Sequence, residues 1–193
     1  MKINIFIKRL IILILSLLLN TNAIANEEAE YDIVYKNNIY EIRFYSERLV
    51  VESIYNSDSS TFRKLFKYIS GDNNSSQKIE MTIPVTQIKK DNMKFMQFIL
   101  PTKFNKNTIP IPSNPDVKIS IIKEGYFAVI EYSGSPSDKN FIKYSKTLRD
   151  KLLEDKILIK GLAIKATYNG PFTLPLLRRN EAMFNVKWKK SAN

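Results

Sequence analysis

Strand-length apolar runs and one amphipathic helix follow each other in the same order on both sides of a proline-bearing stretch, residues 101–115. That recurrence constrains the fold more than any single motif. In the first half, Tyr31–Lys36 and Ile39–Tyr45 are strands around the turn Asn37-Asn38, because Asn tolerates positive φ, and Leu49–Tyr55 is a third. Asp58, Ser59, Ser60 and Thr61 offer N-caps to a helix with Phe62, Leu65, Phe66 and Ile69 at helical spacing, which Gly71 ends. Strands Lys78–Gln87 and Met93–Leu100 follow. The second half has strands Val117–Ile122 and Tyr126–Tyr132, caps at Ser135–Asp138 for a helix carrying Phe141, Tyr144, Leu148 and Leu152, then strands Gly161–Tyr168 and Glu181–Trp188. Laying Ile42 on Ile119 also lays Glu47 on Glu124 and Tyr55 on Tyr132. Few letters match, so the ββαββ repeat rests on order. Two such halves can pair into one closed or nearly closed sheet with two helices against it, an α+β fold.

The stretch Lys78–Gln87 alternates: Ile79, Met81, Ile83 and Val85 take one side, Lys78, Glu80, Thr82, Pro84 and Thr86 the other. A period of two is a half-buried strand. Pro84 cannot donate to a ladder, so it belongs at an edge, bend or bulge. The pattern predicts that Met81 and Ile83 are buried while Glu80 and Thr82 point away, with Glu80 a solvated or structural carboxylate rather than a catalyst.

The chain of 193 residues contains no cysteine and no histidine. That excludes Cys–His and Ser–His–Asp catalysis, ordinary zinc sites and disulfides. Residues 1–25 read as a cleaved signal peptide: Lys2, Lys8 and Arg9 without an acid, an apolar run Leu10–Leu19, then Ala23-Ile24-Ala25 as the processing signal. The protein is therefore expected outside the cytoplasm, periplasmic or secreted, as one domain over residues 26–193. The 19 acids all follow Ala25, as do all but three of the 30 bases, so the processed chain carries a net charge of about +8. Such charge suits anionic ligands or an anionic membrane surface. Scattered lysines and an exported location give no expectation of a nucleic-acid partner.

Six segments in order resemble the SOUL, or haem-binding protein, family. They are Tyr40-Glu41-Ile42-Arg43 with Tyr45, Phe66-Lys67-Tyr68-Ile69-Ser70-Gly71, Lys78 to Val85, Phe98-Ile99-Leu100-Pro101, Tyr168-Asn169-Gly170-Pro171-Phe172 and Arg178-Arg179-Asn180-Glu181. The resemblance implies a distorted antiparallel β-barrel of two pseudo-repeated halves, similar to the effector-binding domains of bacterial multidrug-response regulators. It also implies a hydrophobic cleft for haem or another tetrapyrrole. Some members of the family bind through an axial histidine and others through packing and basic contacts alone; this chain has no histidine, so it cannot be of the first kind.

The candidate ligand-binding residues are Lys67, Tyr68, Met81, Tyr168, Phe172, Arg178, Arg179 and Glu181. Lys67, Arg178 or Arg179 would meet ligand carboxylates; Tyr68, Tyr168 and Phe172 would stack on a ring system. Met81 is core or cleft floor. Arg179 and Glu181 are two apart, so in extended chain they share a face, opposite Arg178. Arg179 with Glu181 is either a structural ion pair or a ligand anchor. The leading expectation is a non-enzymatic binding protein for haem, another tetrapyrrole or a similar planar apolar molecule, with no cofactor required by the sequence. Two alternatives stand beside it: an enzyme acting on a tetrapyrrole or hydrophobic ester through a carboxylate such as Glu181, and an envelope module that contacts lipid or protein.

Overall fold

Nearly every run predicted above forms its element in the computed structural model, which describes residues 27–55 and 57–189. The signal segment 1–25 and the expected start at Asn26 lie outside the described residues. The strands are β1 (Glu27–Glu28), β2 (Asp32–Lys36), β3 (Glu41–Tyr45), β4 (Arg48–Ile54), β5 (Thr82–Ile83), β6 (Val85–Lys90), β7 (Met93–Ile99), β8 (Val117–Ile122), β9 (Gly125–Tyr132), β10 (Leu158–Thr167) and β11 (Asn180–Lys187). Helix α1 spans Asp58–Ile69 and α2 spans Asp138–Glu154. Ser57, one residue ahead of the expected caps, caps α1 by accepting from the Ser60 amide, and Ser137 caps α2 by accepting from Asn140. Strand β10 starts three residues early, at Leu158, and accommodates the extra length with a bulge between Lys160 and Ile164. Gly161 sits in that bulge at φ +88°, a conformation open to glycine.

Nine strands form one sheet in the order β2-β3-β9-β11-β10-β6-β7-β4-β8, every neighbour antiparallel. The expected barrel is corrected here: the ladder does not close, because β2 and β8 end the sheet without pairing to each other. The sheet is nevertheless curled. Arg48 on β4 lies 5.3 Å from the ring of Phe127 on β9, although four strands separate β4 from β9 in the order. Leaving β2 aside, exchanging β3 with β8, β4 with β9, β7 with β11 and β6 with β10 reproduces the strand order read from the other end.

Successive side chains of a strand go to opposite faces, and here each face has its own core. Val51 packs with Leu65, Tyr68 and Phe98 under α1, while Val50 turns inward. Ala128 and Ile130 pack with Leu148, Leu152 and Phe184 under α2, while Phe127 and Val129 turn inward to Tyr45, Ala166 and Met183. Each fully buried large side chain contributes about 1.5–3 kcal/mol. On α1 the buried stripe is Thr61, Leu65, Tyr68 and Ile69; Phe62 and Phe66, expected in it, stack on each other at its exposed margin. The connection after β7 is stitched to α1, with the Tyr68 hydroxyl donating to the Pro110 carbonyl at 2.8 Å.

The alternating segment keeps its predicted period; Ile79 is buried and Glu80 exposed as expected, residues 78–81 lie outside any strand, and from Thr82 onward the facing is reversed. Pro84 separates β5, which pairs with β1, from β6, which pairs with β7 and β10. Thr82, Pro84 and Thr86 are buried, while Met81, Ile83 and Val85 are half-buried on the other side. The prediction that Met81 and Ile83 fill the core while Thr82 points away is thus corrected. The threonines can go inside because their hydroxyls are satisfied: Thr82 donates to the Ile99 carbonyl, and Thr86 to Gln97 Oε1 at 3.2 Å. Glu80 is exposed, as predicted, and pairs with Lys103 at 2.9 Å.

Candidate functional site

The half-buried apolar side of the alternating segment packs at its edge against the cores and also forms the floor of a cleft. Met81, Ile83 and Val85, with Met96 from β7 and Phe62 from α1, line an open cleft of about 720 Å³. Its far wall is the end of β10 and the turn after it, Thr167 to Pro171, backed by Arg178. Polar groups sit at its ends: Gln87 donates to Asp58 at 2.8 Å, and Lys165 pairs with Asp138 at 2.9 Å. Clefts that take small ligands are commonly about 300–1,000 Å³, mostly apolar, with a few placed polar groups. This one has that make-up.

Arg178 shapes the wall. Its side chain is buried and donates to the carbonyls of Asn169 at 3.0 Å, Gly170 at 2.9 Å and Thr173 at 3.3 Å. These bonds fix the turn, but none of the acceptors carries charge. No carboxylate among the described residues lies within ion-pair distance of Arg178, and its Nε is buried without an acceptor. Beyond it the loop turns apolar side chains outward: Phe172 is 98 % exposed and Leu176 86 %.

Arg179 and Glu181 lie on one face, as their spacing predicts, and form a structural cluster. Glu181 is fully buried. It accepts from Arg43 at 3.0 and 3.2 Å, from Arg179 at 2.8 and 3.1 Å, and from the Tyr168 hydroxyl at 2.6 Å. Arg179 also makes a two-pronged contact with Glu28 at 2.9 and 3.0 Å, and its guanidinium lies 3.8 Å from the centre of the Tyr168 ring. Arg43 stacks on Tyr31 at 4.2 Å. The cluster therefore ties β3, β10, β11 and the N-terminal β1 together. Burial, then the neighbouring Glu181 carboxylate, pushes the Tyr168 phenol well above its ordinary pKa. That phenol is held protonated and committed to Glu181.

The structure sorts the eight candidates. Met81, Tyr168 and Arg178 line the cleft. Tyr68 is corrected to core: it is buried under α1 and does not reach the cleft. Lys67 is exposed on α1 outside the cleft, and Phe172 projects into solvent instead of stacking over it. Arg179 and Glu181 are bound to each other and to neighbours, not aimed into the cleft. Sequence reasoning missed Ile83, Val85 and Phe62, assigned to core by their periodicity, and Met96, hidden in an apolar strand. It also missed Arg43 as a partner of Glu181; the signal was its place in the Tyr40–Arg43 segment.

A tetrapyrrole fits these residues as a packed planar group. The floor supplies apolar contacts and two thioethers, Met81 and Met96, and the wall a cation for a carboxylate. Tyr168, the cleft's phenol, is already bonded to Glu181. Among the described residues no group of three or more carboxylates, histidines or cysteines is placed to hold a metal ion. No helix among them is long and apolar enough to cross a membrane.

Comparison with known proteins agrees with this geometry. A family model described as SOUL heme-binding protein matches residues 26–185. No curated protein matches the chain. Among solved structures, the EcmrR C-terminal domain is similar with a TM-score of 0.55 at 14% identity, over 81% of this chain and 98% of that one. An uncharacterized conserved protein from Listeria innocua has a TM-score of 0.54 at 10% identity, over 79% and 94%. A hydrolase from Listeria innocua has a TM-score of 0.52 at 10% identity, over 79% and 94%. At these identities the likeness is one of fold.

Proposed function

The chain belongs to the SOUL heme-binding protein family, and from that premise we propose that it is an exported, non-enzymatic binding protein for haem, another tetrapyrrole or a comparable planar apolar molecule. The ligand packs in the cleft on Met81, Ile83 and Val85 without histidine ligation. Arg178 steers its carboxylates. One observation carries this reading: the half-buried apolar side of β5–β6, packed at its edge against the cores, also opens onto a cleft beside an arginine with no carboxylate partner. The exchange symmetry of the strand order supports two pseudo-repeated halves within this fold. Export rests on the signal grammar of residues 1–25, and N-terminal sequencing of the envelope form should give Asn26.

Packing without a strong axial ligand has a measurable signature. Haemin and metal-free protoporphyrin IX should bind with affinities within a few-fold of each other, read from the Soret band and from quenching of Trp188. Protoporphyrin dimethyl ester should bind more weakly, because it offers Arg178 no carboxylate. Haemin binding with metal-free porphyrin excluded would show iron ligation instead, and no saturable binding of any of the three would remove tetrapyrroles from the reading. The enzyme alternative is opposed by Glu181 itself. Both of its oxygens accept from guanidinium groups and it is absent from the lining of the cleft described above, so it has no free lone pair for a substrate proton.

The loop 171–177 favours a second reading, contact with an anionic membrane surface. Phe172, Leu174, Leu176 and Leu177 are all largely exposed on a chain of high positive charge. Cosedimentation with phosphatidylglycerol vesicles should fall in the Phe172→Ser, Leu176→Ser double variant and at high salt. Equal binding by variant and wild type would dismiss it.

A further inference from the structure

Four arginines are drawn into the body of the molecule, and three of them donate to acceptors that the chain supplies, although Arg178 leaves its Nε without one. Arg43 and Arg179 have carboxylates, and Arg178 has backbone carbonyls. Arg48, at the start of β4, is different. Its Nε is shut off from solvent with no hydrogen-bond partner. No carboxylate among the described residues comes within ion-pair distance of it. Its guanidinium lies against the rings of Tyr45 at 4.1 Å and Phe127 at 5.3 Å. Those rings hold the charged plane in place but supply no acceptor for its N–H groups. Desolvation, only partly offset by the neighbouring tyrosines, lowers its pKa to about 10. Arg48 is half-buried with its Nε shut away from any acceptor, and pairing stabilises a cation withdrawn from water, so this side chain suits a counter-ion that the chain itself does not provide.

The space beside it has room for one. Arg48 forms part of the lining of a cleft of about 600 Å³ whose apolar wall is Leu49, Ile99, Leu100 and Phe104. This cleft is separate from the one described above. Strand β5 divides them: Thr82 faces this cleft while Ile83 faces the other. Three acids stand on the rim: Glu27 accepts from the Thr102 amide at 2.9 Å, Glu47 lies 3.9 Å from Lys106, and Glu30 is exposed. We propose that Arg48 anchors the anionic head of an amphiphile, a carboxylate or phosphate bound by the guanidinium fork, whose apolar body lies along Leu49, Ile99, Leu100 and Phe104. A fixed guanidinium plane suits both heads, since each accepts two parallel N–H bonds.

The experiment titrates the purified protein with dodecanoate, dodecyl phosphate and inorganic phosphate by calorimetry, and records apo melting temperatures. At least one of the two amphiphiles should bind saturably at micromolar concentration, and inorganic phosphate should not. Binding of dodecanoate alone assigns a carboxylate head, of dodecyl phosphate alone a phosphate head. Arg48→Met should weaken binding at least tenfold while leaving the apo melting temperature unchanged or higher, because an unpaired half-buried cation has been replaced by an apolar chain of similar length. Arg48→Lys should fall between. Val85→Asp, in the other cleft, should bind dodecanoate as wild type does. Failure of both amphiphiles to bind, equal binding by Arg48→Met, or a large drop in its apo melting temperature would each overturn the proposal; the last would show that the guanidinium serves its ring stack alone.

Discussion

Glu181 is held by two guanidinium groups and a phenol in a site without solvent, so its role is decided by what removing it leaves behind. Glu181→Gln would take from buried Arg43 its buried carboxylate partner, leaving it Glu41 at 2.9 Å, and should cost about 3–5 kcal/mol, measured by denaturant melting. Arg43→Ala should cost a similar amount. Arg179→Ala should cost clearly less, because Arg179 keeps 28% side-chain exposure and Glu181 retains Arg43. Equal losses for the two arginine variants would contradict this ordering. The sharing of a face by Arg179 and Glu181 was legible from a spacing of two residues. Arg43 was not legible as the partner, because it is 138 residues away and a single sequence carries no distance across a sheet. Buried tyrosines add a pH dependence. Burial pushes the phenols of Tyr45, Tyr68 and Tyr132 up to about 12. The native state then keeps protons that the unfolded chain loses near pH 10. Their stabilising effect is complete below about pH 10 and is lost as pH rises toward 12. The melting temperature should fall steeply across that window, and Tyr68→Phe should flatten the fall; an unchanged slope would mean that Tyr68 titrates alike in both states.

At the scale of elements, β5–β6 is a partition with a different space on each face. Met81→Ala should cost well under the roughly 2–5 kcal/mol of a fully buried methionine, since Met81 is half-exposed on the cleft floor. The same change should weaken porphyrin binding. A loss in the full core range on denaturant melting would return Met81 to the core. Val85→Asp should leave the fold cooperative and abolish porphyrin binding, because it puts a charge on the cleft floor and leaves the Thr86 side untouched. The period of this strand was plain from its letters, and so was a break at Pro84. Its facing was not. Alternation separates two faces without saying which is inside, and the polar one can go in when Ile99 and Gln97 supply partners. Helix α1 shows the same limit. Its 3.6 periodicity was right, but Thr61 and Tyr68 fill the buried stripe while Phe62 and Phe66 border it, Phe62 reaching the cleft.

For the whole molecule, order along the chain predicted an α+β sheet with two helices but not whether it closes, since closure depends on one pairing, β2 to β8, that local pattern does not encode. What order did imply is that neither half is complete. Three ladders join them: β3 to β9, β4 to β8 and β6 to β10. The exposed turn Asn105-Lys106-Asn107 lies in the connection between them. That connection acts as a tether, and a short tether holds two partners at an effective concentration on the order of millimolar. Severing it between Lys106 and Asn107 therefore turns folding from a first-order into a second-order event. Fragments 26–106 and 107–193 should each be unfolded alone and should assemble on mixing, with a melting temperature that rises with concentration. A cooperative melt from either fragment by itself would show a self-sufficient half. In the uncut chain that same dependence is hidden, and the protein's stability at any dilution is owed to fifteen residues that belong to no strand of the main sheet.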